Sequence, residues 1–101
     1  MKSYKRIEAV HKAGLVLKNL ANQKEPVNGP AIAQAVGLPV GTVMCHLVTL
    51  EELGFTQRIG DAWKLGFGMA LIYARVKSNL EAEKDRINNQ LNELTEERDG
   101  K

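Results

Sequence analysis

Apolar residues recur at helical spacing over four stretches of this chain and at strand-like spacing over one short stretch. Over residues 4–21, Ile7, Val10, Leu17 and Leu20 share one helical face, and Val16 widens the stripe. Gly14 interrupts it at a cost of about 1 kcal/mol relative to alanine, so a close neighbour is expected there. Asn22, Gln23, Lys24 and Glu25 form a polar break, and Pro26 forbids continuation. A second helix opens at Asn28-Gly29-Pro30. Asn or Gly caps it, and proline suits a first turn because it has no N–H to leave unpaired. Ile32, Ala33 and Val36 form its inner face, and Gly37 ends it in a left-handed conformation.

The turn Gly37-Leu38-Pro39 leads into a third helix over residues 40–53. Stepping 100° per residue, Val43, Leu47 and Leu50 cluster within about 60°. His46 lies at the edge of that face. Gly41, Cys45, Val48, Thr49 and Glu52 point away, and Gly54 closes the helix. Residues 55–59 (FTQRI) and 62–65 (AWKL) are β-prone and separated by Gly60-Asp61, which predicts a hairpin. Three helices followed by a hairpin make a winged helix-turn-helix.

Residues 67–98 contain no proline, and the nearby glycines, Gly66 and Gly68, sit at the start. This predicts one helix about 45 Å long. Residues 67–76 (FGMALIYARV) are apolar nearly all round, which implies burial against a second chain. Tyr73, Leu80, Ile87 and Leu94 then repeat every seven residues as a coiled-coil seam, with Ile72 and Val76 near its start. The companion series is poor: Lys77 and Lys84 occupy it, and only Leu91 is apolar. The seam is therefore weak. The expected fold is mainly α: a winged helix-turn-helix over residues 1–66, an oligomerisation helix over residues 67–98, and a frayed tail over residues 99–101.

Composition narrows the function. Hydrophobic residues are 44% and charged residues 26%, the profile of a globular chain. A single cysteine excludes an internal disulfide or Cys-based zinc site and fits a reducing cytoplasm. No apolar signal core or membrane-length run is present, so a cytoplasmic protein with no membrane partner is expected. Residues 1–66 carry eight Lys/Arg against five Asp/Glu, whereas residues 67–101 carry six against seven. A mildly basic head with a mixed-charge tail suits a DNA-binding unit joined to an oligomerising helix.

No nucleophile–base pair, paired carboxylate or Gly-rich phosphate loop occurs, so neither an enzyme nor a cofactor is expected. His11, Cys45 and His46 do not share a face with a carboxylate, which argues against a metal site. Cys45 has no basic neighbour in sequence to lower its pKa.

The third helix has no Lys, Arg, Asn or Gln between residues 40 and 50. Its first N–H groups, near Gly41 and Thr42, can face a phosphate. Thr42 and Thr49 can hydrogen-bond to base or backbone, and Val40, Met44 and Val48 can touch thymine methyls. What it lacks is the bidentate Arg–guanine pair, worth about 1–3 kcal/mol of discrimination. The rival reading makes exposed Val40, Met44, Cys45 and Val48 a protein-binding surface. Arg58 and Lys64 on the wing, with Lys5, Arg6 and Lys12 near the N-terminus, are candidates for phosphate contact. Trp63 is expected to pack the wing onto the core.

The residues GLPVGTVMCHLVTLEELGFTQR, followed by GDAWKLGFGM, resemble the N-terminal DNA-binding domain of the IclR family of bacterial regulators over residues 4–72. The points of likeness are Gly37-Leu38-Pro39, Thr42-Val43, the block from Thr49 to Phe55, and Trp63-Lys64-Leu65-Gly66. The resemblance implies a winged helix that binds double-stranded DNA as a dimer, with the third helix in the major groove. Two departures matter. Family members carry a basic residue and a serine after the proline and usually an arginine further on; here those places hold Val40, Gly41 and Cys45. They also continue into a large effector-binding domain, whereas this chain ends in a helix, so no small-molecule effector is expected.

Together these features predict a DNA-binding protein, a transcriptional regulator, that forms a dimer or higher homo-oligomer. The alternatives are a phage DNA-packaging recognition subunit of the small-terminase kind, and a winged-helix adaptor that binds protein instead of DNA.

Overall fold

The computed structural model describes residues 3–99, with side chains through residue 96. Its elements are α1 (Glu8–Ala21), β1 (Val27–Asn28), α2 (Gly29–Val36), α3 (Val40–Glu52), β2 (Thr56–Ile59), β3 (Ala62–Leu65) and α4 (Phe67–Asp99). The chain divides into two compact units, Met1–Ala70 and Leu71–Lys101.

In the first unit α1, α2 and α3 enclose a single core. Val16 and Leu20 enter it from α1, Ile32 and Ala33 from α2, Val43, Leu47 and Leu50 from α3, and Trp63 from β3. The inner faces of α2 and α3 are those the sequence predicted. That of α1 is rotated: Val16 is fully buried, while Ile7 and Val10 are each 66% exposed. The helix also starts at Glu8 rather than at residue 4, with extended Ile7 before it and no side-chain cap. Tyr4, Lys5 and Arg6 therefore lie ahead of the helix, all exposed. An end without packing or capping gains too little to hold the first turn. Gly14 has no close neighbour, contrary to expectation; the helix carries it without one.

Helix α2 follows its punctuation. The Asn28 Oδ1 accepts the Ala31 N–H at 2.8 Å, and Pro30 occupies the first turn. Gly37 has φ 74°, and its N–H and that of Leu38 both donate to the Ala33 carbonyl, at 2.9 and 3.1 Å. The left-handed residue turns the chain sharply enough for Pro39 to start α3.

The wing is a three-stranded antiparallel sheet in the order β1-β3-β2. The hairpin of β2 and β3 matches expectation; β1 does not figure in it. This two-residue strand sets Val27 opposite Trp63 and Asn28 opposite Ala62. Trp63, 1% exposed, pins the sheet to the helices. A second pin is polar: the buried Thr56 hydroxyl donates to the Leu47 carbonyl of α3 at 2.9 Å.

Between wing and α4 the backbone doubles back tightly. The Gly66 N–H donates to the Phe55 carbonyl at 2.9 Å and the Gly68 N–H to the Gly54 carbonyl at 2.8 Å. A Cβ on Gly66 would collide with the Gly54 carbonyl oxygen, so only glycine fits there.

The second unit is the body of α4, continuously helical to Asp99. Asp99 thus belongs to the helix and not to the predicted tail, whose other residues, 100 and 101, lie outside those described. Among the described residues α4 carries one ion pair, where Arg86 meets Glu83 at 3.5 Å. Among the described residues no single helix is long and apolar enough to cross a membrane.

Candidate nucleic-acid interface

The outer surface of α3 follows from the residues that the core takes. With Val43, Leu47 and Leu50 turned inward, the opposite side presents Gly41, Cys45, Val48, Thr49 and Glu52, all exposed. Val40 is 45% exposed at the first turn. Thr42 is half-buried, and so is Met44, whose sulfur packs against Gly29 of α2. The N-cap is Pro39, which offers no side-chain acceptor. The first-turn N–H groups are therefore open to an external one. The Thr49 hydroxyl donates to the Cys45 carbonyl at 2.8 Å, so its one proton is committed within the helix. Met44, Cys45, Val48 and Thr49 together line a shallow, mostly apolar concavity.

The wing separates two candidates that the sequence had grouped. Arg58 lies opposite Trp63 and Lys64 opposite Gln57 across the β2–β3 ladder. Side chains alternate along a strand, so Arg58 and Lys64 project from opposite faces. Arg58 lies over the Trp63 ring and reaches toward α3, where its guanidinium comes within 3.7 Å of Glu51. Lys64 lines a pocket with Lys24, Glu25 and Pro26 at the end of α1. Of the N-terminal candidates, Lys5 is exposed in the segment before α1, and Arg6 pairs with Glu8 at 2.6 Å. Lys12, further along α1, is half-buried.

Two residues of this surface escaped the sequence reading. Glu51 sits beside Arg58 although seven positions separate them; only the register of the wing on α3 reveals the pairing. Gln57, exposed on β2 and facing across to Lys64, extends the polar face of the wing. Its position in an alternating strand was the available signal.

The model of the IclR helix-turn-helix domain matches residues 9–60, just over half of the chain and the span from α1 through β2. Among solved structures, the crystal structure of Pseudomonas aeruginosa HmgR is similar in fold, with a TM-score of 0.62 at 21% identity. The match covers 68% of this chain and 29% of that one, so the chain spans under a third of the length of HmgR. No curated protein matches the chain. The order of elements, the left-handed glycine ahead of α3, the wing and the match over residues 9–60 together place this chain in the IclR helix-turn-helix family.

Proposed function

We propose that the chain is a DNA-binding transcriptional regulator that docks α3 in the major groove and pairs with a second copy through α4. The observation that carries the DNA reading is the family match over α1 to β2. The exposed, uncapped start of α3 supports it, as does a wing that sets Arg58 beside Glu51 in the last turn of that helix. In this reading Val40, Gly41, Thr42, Met44, Cys45 and Thr49 face the groove. Arg58, Lys64, Lys5 and Arg6 contact phosphates, which sets affinity and position but carries no sequence information.

The pairing reading rests on α4. Ile72, Tyr73, Val76, Leu80, Ile87, Leu91 and Leu94 are each between 46% and 66% exposed on a single chain. Such a row of apolar residues along one helix favours a partner helix. Residues 1–66 would then form the DNA-binding head and residues 67–98 the oligomerisation helix.

Fluorescence anisotropy with mixed-sequence duplex DNA at about 50 and 200 mM salt tests the DNA reading. Binding that falls steeply with salt is expected; no binding at the lower salt sinks it. The apolar outer surface of α3 also favours a second reading, an adaptor that docks protein there, and that reading survives only the latter result.

A further inference from the structure

The outer face of α3 is apolar where a base-reading helix needs hydrogen-bonding groups. Val48 is 39% exposed, Cys45 is exposed, and both lie with Met44 and Thr49 around one shallow concavity. The Thr49 proton is held by the Cys45 carbonyl, so outward the residue offers its methyl group and oxygen lone pairs.

Gly41 is a second, independent observation. It is the second residue of α3 and has no positive φ, and a Cβ built on it would meet nothing within 4 Å. Glycine within a helix is destabilising relative to alanine, and neither backbone nor packing demands it here. What it provides is approach: another surface can come nearer to the helix axis at Gly41 than at any residue bearing a side chain.

Base edges in the major groove carry donors, acceptors and one apolar group, the C5-methyl of thymine. An Arg or Lys fork would select guanine, and an Asn or Gln fork adenine; none lies in α3. We infer that α3 reads thymine methyl groups, with Met44, Cys45, Val48 and the Thr49 methyl as the contact surface and Gly41 letting the groove floor come close. This deepens the DNA-binding reading and rests on it. Selectivity is then for A·T-rich major groove and arises from burial of methyl groups. Glu52 ends the stripe about 10 Å beyond Cys45 along the axis. Its charge falls where a helix entering by its N-terminal end is leaving the groove.

The test uses the intact chain and three duplexes of about three helical turns each. One is alternating A–T, the second has deoxyuridine for every thymine, and the third is alternating G–C. The first two share backbone charge and base hydrogen-bonding groups and differ in the methyl. Burying one methyl corresponds to about fourfold in affinity, so the A–T duplex is expected to bind about four- to tenfold more tightly than the A–U duplex. Val48→Ser, and separately Cys45→Ser, should bring that ratio toward one. Arg58→Ala, on the wing face turned toward α3, should weaken all three duplexes alike. Equal affinity for A–T and A–U, or preference for G–C, overturns the methyl reading and leaves DNA binding intact. Failure to bind any duplex at about 50 mM salt overturns the DNA reading and this one with it, and leaves the apolar face to a protein partner.

Discussion

The Arg58 guanidinium lies 4.6 Å from the centroid of the Trp63 ring, directly across the β2–β3 ladder. The one arginine of the wing thus covers the one tryptophan of the core, and Glu51 holds its edge at 3.7 Å. Both charged side chains are substantially exposed, 47% and 39%, so the ion pair contributes under about 1 kcal/mol to stability. Its larger effect is on the charge beside α3. Glu51→Gln is expected to tighten duplex binding about two- to threefold at low salt, an effect that fades as salt rises. Arg58→Ala should reduce the slope of log affinity against log salt by about one, if Arg58 contacts a phosphate. Anisotropy titrations across a salt series measure both.

Gly66 and Gly14 should respond in opposite ways to alanine. At Gly66 the new methyl meets the Gly54 carbonyl oxygen and lies 3.0 Å from the Thr56 nitrogen. Backbone must move, and a loss of about 1–3 kcal/mol is expected in urea unfolding. At Gly14 the space is open and the backbone helical, so alanine should stabilise by about 0.5–1 kcal/mol.

Gly41→Ala should separate stability from binding. Thermal unfolding is expected to show a gain of up to about 0.5 kcal/mol, because the first turn of α3 loses a helix-weakening residue without a clash. Duplex affinity should fall in the same sample. A variant both more stable and equally tight would mean that Gly41 has no part in docking.

Cys45→Arg restores the residue type usual in the family on an exposed position. A bidentate contact to guanine discriminates by about 1–3 kcal/mol, so selection from a random-sequence duplex library should move toward G·C in that half-site. An unchanged preference would show that residue 45 does not reach the bases.

Replacing both Leu80 and Ile87 by glutamate puts four like charges at the centre of a paired α4. Sedimentation of the unmodified chain is expected to show a dimer or larger, and of the double variant a monomer. Trp63 emission should be unchanged, since it reports the core formed by α1, α2, α3 and β3. A monomeric parent chain would contradict the pairing reading.

The helices and the wing were legible because their signals are local. Asn28 and Pro30 announce α2, Gly37 stops it, and Val43, Leu47 and Leu50 repeat with the helical period. Strand β1 was not legible: two residues carry no alternation, and their place beside β3 is decided by a partner more than thirty positions away. The start of α1 is hidden from the sequence for a related reason. Ile7 and Val10 have the right spacing, but spacing does not reveal whether anything packs against them, and here each is exposed. At the candidate interface, helical geometry found the outward residues of α3. It could not find that Arg58 and Lys64 diverge, which depends on strand register, nor that Thr49 turns its proton back into its own helix.

The buried bond from the Thr56 hydroxyl to the Leu47 carbonyl ties the root of the wing to the middle of α3. Wing and α3 are thereby held in register with one another. In the proposed docking, a duplex that engages both brings its groove floor and its flanking phosphates to that span. Stretches of DNA that bend or widen easily meet this demand at lower cost than stiff ones. In that docking, stiffness of the duplex would rank sites through base pairs that the protein does not touch.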